Sequence, residues 1–126
     1  MRVDLLLKNY VESSGIDGAL LVSDDGTILM SRLPEYVSTS IIDRIEWIQK
    51  TIYAVSIEIQ RNNLHRVTYE LEDGIVLFTK VSSGLILVGL APKDIDMSRV
   101  TYVSSVYSKA INTEIRGIKM AEEGIL

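Results

Sequence analysis

Residues 15–33, with the sequence GIDGALLVSDDGTILMSRL, constrain the fold of this chain more than any other segment. Residues 19–22 are apolar on both sides, which predicts a buried strand. Asp25-Gly26 follows and indicates a tight hairpin turn, because glycine adopts the positive φ that such turns need. A second strand is expected at residues 27–32. The segment therefore predicts an antiparallel hairpin near the start of the chain.

Three helices are predicted from apolar residues at helical spacing, over residues 3–14, 38–61 and 97–119. Ser38 or Ser40 can cap the start of the long middle helix, and Arg61-Asn62-Asn63 ends it. One narrow stripe of this helix should face the core; it contains Ile41, Ile45, Ile48, Ile52, Val55 and Ile59.

Three further strands are expected at residues 65–71, 75–81 and 85–91, separated by turns that contain glycine. The strands at 19–22 and 85–91 are apolar on both faces and belong in the middle of the sheet. The predicted fold is therefore α/β, with a five-stranded, mainly antiparallel sheet in the order 2-1-5-4-3. The first and last helices share one face, and the long helix lies alone on the other. We expect one domain over residues 1–120 and a short flexible tail over residues 121–126.

Composition excludes several classes of function. The net charge of −4, without a basic cluster along the sequence, gives no electrostatic footprint for nucleic acid. Cysteine is absent, which rules out disulfides and thiolate chemistry. No apolar run reaches the roughly 18 residues that span a bilayer, and the N-terminus is typical of a domain helix rather than a signal peptide. We therefore expect a cytoplasmic protein without membrane insertion.

No catalytic constellation is present in the sequence. Asp24-Asp25-Gly26 is interpreted as a turn, since it lacks the further oxygen ligands of a calcium loop. His65 is the only histidine, and no phosphate-binding GxxxxGK[ST] pattern occurs. We expect no enzymatic activity, no cofactor and no bound metal. An arginine finger for a partner is conceivable, but no motif singles one out among Arg32, Arg44, Arg61, Arg66, Arg99 and Arg116.

The predicted sheet is wider than one helix can cover. Five strands span roughly 20–25 Å, whereas a helix is about 10 Å across. A second copy of the long helix is the simplest cover, by two-fold symmetry. The expected homodimer interface combines a second apolar flank of that helix with the strand at 65–71; its residues are Ile42, Tyr53, Ile57, Arg66, Thr68 and Glu70.

The GxxGALLVSDDGT segment, the single long central helix, the GLILVGLAP strand and the order of elements resemble the Roadblock/LC7 family, and most closely its stand-alone prokaryotic type. The resemblance covers nearly the whole chain. It implies a profilin-like α/β sandwich that dimerises by packing the long helices and pairing the third strands into one continuous sheet. It also implies regulation or scaffolding of small Ras-like GTPases, in some members with stimulation of hydrolysis but without an arginine finger.

Two main functional hypotheses follow. In the first, the protein is a homodimeric regulator or scaffold of a small Ras-like GTPase. In the second, it is a structural, dynein-light-chain-like dimeric adaptor with no effect on nucleotide chemistry. A small-molecule sensor is a weaker third, because few polar groups fall within an apolar pocket. A heterodimer with a paralogue also stays open. For the GTPase the candidate contacts are residues that turn away from the core stripe, namely Asp43, Glu46, Trp47, Lys50 and Glu58.

Overall fold

The computed structural model describes residues 2–124. Its elements in chain order are α1 (Arg2–Ser14), β1 (Gly18–Ser23), β2 (Ile28–Arg32), α2 (Thr39–Arg61), β3 (Arg66–Leu71), β4 (Gly74–Ser82), β5 (Leu85–Ala91) and α3 (Met97–Glu122).

The last helix is longer than predicted. It continues from residue 119 to Glu122, with Glu123 as its cap, and so includes the start of the segment expected to be a tail. Residues 119–123 contain neither glycine nor proline. Gly124 follows, and its φ of +75° is typical of the position after a helix end. Residues 125 and 126 of the expected tail lie outside the described residues.

The five strands form one sheet in the order β2-β1-β5-β4-β3, which confirms the predicted order. All neighbouring pairs are antiparallel. The register shifts by one position between Leu21 and Val22, where β1 pairs with the edge strand β2. The two strands that are apolar on both faces lie inside the sheet, because helices cover both of their surfaces.

Helices pack on both faces of the sheet, and each layer has its own core. The first core lies under α1 and α3 and includes Leu7, Leu77, Leu87 and Ile111. Its counterpart under α2 includes Ile48, Phe78, Val88 and Leu90. This arrangement confirms the predicted sandwich of two helices on one face and one on the other.

The β1–β2 turn is stabilised by its own polar groups. Gly26 has a φ of +92°, and the Thr27 N–H donates to Asp25 Oδ1 at 2.9 Å. Hydrogen bonds from the Ser23 hydroxyl and from Thr27 lower the pKa of Asp25 to about 2. The carboxylate is thus occupied within the turn, in agreement with its interpretation as a turn residue.

The ends of α2 follow the signals in the sequence. The Ile41 N–H donates to Ser38 Oγ at 3.2 Å, so Ser38 is the N-cap. Asn62 caps the other end, and Asn63 has a φ of +52°. The predicted core stripe is buried except for Ile45, which is half-buried. Sequence and structure therefore agree on which side of α2 faces the sheet.

Candidate functional site: the open edge of β3 and the outer surface of α2

The strand β3 presents a free backbone edge. The Lys80 N–H donates to the His65 carbonyl oxygen at 2.9 Å, so residue 65 faces residue 80 in a hydrogen-bonded pair. Since such pairs alternate in an antiparallel ladder, residues 67, 69 and 71 direct their backbone groups at β4. The N–H and C=O groups of Arg66, Thr68 and Glu70 consequently point away from the sheet. These are the three β3 residues predicted at a dimer interface.

Their side chains lie on the α3 side of the sheet. The Arg66 guanidinium donates to the Thr101 carbonyl oxygen at 3.3 Å and also contacts the Ser105 hydroxyl, both on α3. Thr68 and Glu70 alternate with the residues that face α2, and both are exposed. The backbone edge of β3 and these two exposed side chains are thus both free of contacts with α2.

The apolar flank of α2 lies on the opposite face of the molecule. Ile42 is 46% exposed and Tyr53 is 64% exposed, while Ile57 is half-buried. Gln49 marks the direction of this flank, because its amide reaches the Gly26 carbonyl oxygen at 3.5 Å. At about 100° per residue, Ile42 and Tyr53 fall within about 40° of Gln49. The flank therefore faces the β1–β2 hairpin and the solvent, and not β3.

The residues expected at a dimer interface lie on two separate parts of the molecule. The two groups do not form one patch, because one lies on the outer side of α2 and the other on the far face and edge of β3. The flank instead adjoins residues predicted to contact a GTPase, since Asp43, Glu46 and Lys50 are exposed on the same side of the helix. We call this combined patch the outer α2 surface; it consists of Ile42, Asp43, Glu46, Lys50, Tyr53 and Ile57.

Trp47 does not point outward, contrary to the sequence-based prediction. Its ring meets Tyr69 of β3 edge-on, with centroids 5.2 Å apart and an angle of 71°. It also lies 6.2 Å from Phe78 of β4. The side chain is half-buried, because a large ring beside the core stripe reaches over the sheet where α2 does not cover it. Glu58 is exposed on this same side of α2.

Arg44 is a buried cation that sequence reasoning missed. Only 4% of the residue is exposed. Its Nη1 donates to the Ala91 carbonyl oxygen at 3.1 Å and to that of Ile75 at 3.4 Å, and Nη2 lies 3.8 Å from Asp17 Oδ2. These contacts attach the N-terminal part of α2 to one end of the sheet. One feature of the sequence indicates that Arg44 faces the core. It lies three residues after Ile41 and four before Ile48, and so falls within the apolar stripe.

The positions and contacts of the candidate arginines do not support an arginine finger. Arg44 is buried, Arg66 is bound to α3, and Arg99 Nε donates to the Ser13 carbonyl oxygen at 2.9 Å. The other candidates, Arg32, Arg61 and Arg116, are exposed in three different elements or at their ends. No cluster of cationic side chains lies on the outer α2 surface.

A cavity of about 410 Å³ lies between α1 and the β2–α2 connection. It is lined by both cations and carboxylates, including Lys8, Glu12 and Arg32. Within residues 2–124, no group of three potential metal ligands occurs. Among the described helices, none combines the length and the apolar character needed to cross a membrane.

The sandwich, with one long helix alone on one face, matches solved structures of the Roadblock/LC7 fold. MglB of Myxococcus xanthus is 11% identical, with a TM-score of 0.76 over 93% of this chain and 97% of that chain. A Roadblock/LC7 domain from Streptomyces avermitilis is 18% identical, with a TM-score of 0.70 over 90% and 97% of the two chains. Profilin IA of Acanthamoeba castellanii is 13% identical, with a TM-score of 0.58 over 88% and 97%.

Comparison of the sequence with protein families also gives a match. Residues 1–103 match the family described as AF0774-like protein, and the chain belongs to that family. A comparison with curated proteins gives no match.

Proposed function

We propose that this protein is a homodimeric regulator or scaffold of a small Ras-like GTPase and is not itself an enzyme. The observation that carries the proposal is the coexistence of two unpartnered surfaces, the free edge of β3 and the outer α2 surface. The Roadblock/LC7 fold supports it, because resemblance to that family implies dimers that act on GTPases. On this proposal the protein works in the cytoplasm and alters its partner without donating an arginine.

The β3 edge is the seam of the proposed dimer. Two antiparallel β3 strands can pair across a two-fold axis through the free groups of Arg66, Thr68 and Glu70. Such pairing brings the partner's α2 to the side of α2 that carries Trp47 and Glu58. It would also cover Tyr69 and Leu71, which a single copy leaves half-buried. The sheet would then continue through both copies.

The outer α2 surface stays accessible in this dimer and is the proposed docking site for the GTPase. Tyr53 is its largest exposed apolar side chain, and aromatic residues are enriched among the anchors of protein interfaces. Glu46 and Lys50 flank it with charges of opposite sign, which can set orientation and specificity.

The dimer is tested by replacing Thr68 with proline. The Thr68 N–H points away from β4, so Thr68→Pro blocks the edge without removing a hydrogen bond within the chain. We expect the wild type to sediment as a dimer at micromolar concentration and Thr68→Pro as a folded monomer. Thr68→Ala keeps the N–H and should stay dimeric. A monomeric wild type, or a dimeric Thr68→Pro variant, would contradict the proposed seam.

Binding of a GTPase is tested by measuring whether a small GTPase, loaded with GDP or with a non-hydrolysable GTP analogue, is retained on the immobilised dimer. We expect a small GTPase to be retained, and Tyr53→Asp to lower its affinity roughly thirtyfold, equivalent to about 2 kcal/mol, while the dimer persists. If Tyr53→Asp yields a monomer, the outer α2 surface is the seam instead. Unchanged GTP hydrolysis by the bound GTPase, with full retention, would favour the passive adaptor.

A further inference from the structure

The residues on the free edge of β3 form a pattern that complements itself when the strand is reversed. Arg66, Thr68 and Glu70 alternate along the strand as a cation, a neutral hydroxyl and an anion. Their side chains share the α3 side of the sheet, and their backbone N–H and C=O groups point away from β4. An antiparallel copy of the same strand therefore offers the opposite charge at each end.

The free backbone groups select one register for such a pair. When two identical antiparallel strands are related by a two-fold axis, the residue on the axis pairs with its own equivalent. With the axis at Thr68, Arg66 pairs with Glu70 of the second copy, and all the free groups exchange hydrogen bonds among themselves. An axis at position 67 would pair residue 70 with position 64, and an axis at position 69 would pair residue 66 with position 72. Both of these partners lie outside β3.

The charges favour the same register. The ion pairs within residues 2–124 involve neither Arg66 nor Glu70, so both charges are available to a second copy. Residues directly opposite each other on antiparallel strands have Cβ atoms about 4.5–5.5 Å apart, and opposite charges at such positions stabilise the pair. An axis at position 66 or 70 would instead place two arginines or two glutamates opposite each other, which is destabilising.

Contacts with α3 hold the Arg66 side chain in place on its side of the sheet. Its Nη2 donates to the Thr101 carbonyl oxygen at 3.3 Å and also contacts the Ser105 hydroxyl. Both contacts use the same nitrogen, whereas a guanidinium carries five N–H donors, so others are left for a carboxylate. The Glu70 side chain is exposed, so it can turn toward a second copy.

Given the β3 seam of the proposed function, on which this step rests, we propose that the two-fold axis of the dimer passes Thr68 and that Arg66 of each copy faces Glu70 of the other. The partner at the seam is then a second copy of this chain. A different chain would need the same alternation of charges on its own edge strand. The charge pattern thus favours a homodimer over a heterodimer.

The register is tested with single cysteines, because the chain contains none of its own. With the axis at Thr68, the Cα atoms of the two residues 68 lie about 5.5 Å apart, within the range that a disulfide bridges. We expect Thr68→Cys to form a covalent dimer under mild oxidation with diamide. Glu70→Cys is the matched control on the same exposed face. Its two cysteines would lie roughly 14 Å apart and should not cross-link.

The ion pairs are tested by reversing one charge. Glu70→Lys places a cation opposite Arg66 of the second copy, and we expect the dissociation constant of the dimer to rise at least about tenfold. Glu72→Lys makes the same change at an exposed position that faces Leu64 in this register, and it should dimerise like the wild type. Sedimentation equilibrium under reducing conditions measures both dissociation constants.

Several results would overturn this register while leaving the β3 seam intact. One is a Thr68→Cys variant that is dimeric when reduced but forms no disulfide. Another is a covalent Glu70→Cys dimer, which would place the axis at position 70. Equal weakening by Glu70→Lys and Glu72→Lys would show that net charge, and not pairing, is responsible. A monomeric wild type, or a dimeric Thr68→Pro variant, would overturn the seam and the register together.

Discussion

Arg44 stabilises α2 from a position that normally holds an apolar residue. Its guanidinium satisfies two backbone carbonyl groups where β4 begins and β5 ends. Gly74 leaves room for it, since a Cβ there would come within 2.6 Å of Arg44 Nη1. A buried charge is tolerated at this place because hydrogen bonds and Asp17 replace the water it loses.

We expect Arg44→Ala to lower the free energy of unfolding by about 3 kcal/mol. The variant loses charge-assisted hydrogen bonds and leaves two carbonyl oxygens without their donor. Urea denaturation followed by circular dichroism measures the change. Arg61→Ala, at the exposed end of the same helix, should change it by less than about 0.5 kcal/mol. Equal stability of the two variants would contradict this role for Arg44.

Gly89 and Tyr10 are a second pair of residues in close contact. A Cβ at position 89 would lie 2.6 Å from the Tyr10 hydroxyl oxygen, which itself hydrogen-bonds to Ser104 Oγ at 2.8 Å. Burial raises the pKa of Tyr10 to about 12, so the phenol stays neutral. The absence of a side chain at position 89 is what makes room for this buried hydrogen bond.

Gly89→Ala should therefore cost about 2 kcal/mol in the wild-type background. In a Tyr10→Phe background the clashing oxygen is gone, and the same substitution should cost less than about 1 kcal/mol. A double-mutant cycle in urea measures the difference. Additive effects of the two substitutions would show that the close contact is not the cause.

Sequence patterns predicted the role of a residue more accurately when its contacts are with neighbours in the chain than when its contacts are with residues far along the chain. Asp25-Gly26 was correctly assigned to a turn, and Ser38 is one of the two residues predicted as the helix cap, because a turn and a cap depend on neighbours in the chain. The roles of Arg44 and Trp47 were missed, because their contacts come from strands about 22 to 47 positions away. A charged or bulky residue near an apolar stripe gives no sign of such contacts by itself.

At the scale of elements, α2 combines three roles on different sides. One side packs on the sheet, a second places Trp47 over β3 and β4, and a third is the outer α2 surface. The helical period distinguished the first side from the others. The helical period could not show how far the sheet extends beyond the part that α2 covers. That extent decides where the Trp47 side chain lies.

Trp47→Ala is expected to destabilise the fold by about 2 kcal/mol, because the ring loses its packing against Tyr69 and Phe78. Thermal unfolding at fixed protein concentration measures the effect. Glu46→Ala is the matched control, since its exposed neighbouring side chain lies on the outer α2 surface. If Trp47→Ala unfolds like the wild type and only weakens partner binding, the tryptophan serves the partner and not the fold.

For the whole molecule, the order of the sheet could be predicted from two properties of the sequence. Two strands are apolar on both faces, and short turns keep consecutive strands adjacent. The number of copies in the assembly could not be predicted in this way, because the free edge of β3 and the exposed flank of α2 can each accommodate a partner in more than one way.

If the protein is a dimer through β3, its melting temperature should depend on concentration. Folding then includes association, so a tenfold higher concentration should raise the melting temperature by about 3 °C. Thr68→Pro should abolish this dependence. Calorimetry over a hundredfold range of concentration measures both. A melting temperature independent of concentration in the wild type would argue against the dimer.

The register shift at Leu21 and Val22 has a consequence for growth of the sheet. If two copies join at β3, the outermost strands on both sides are β2, with only five residues each. The shift disturbs the pairing of β2 with β1, Arg32 adds an exposed charge, and Pro34 follows closely. Short, irregular and charged edges resist the addition of further strands. A dimer joined at β3 would therefore have outer edges that resist further growth of the sheet.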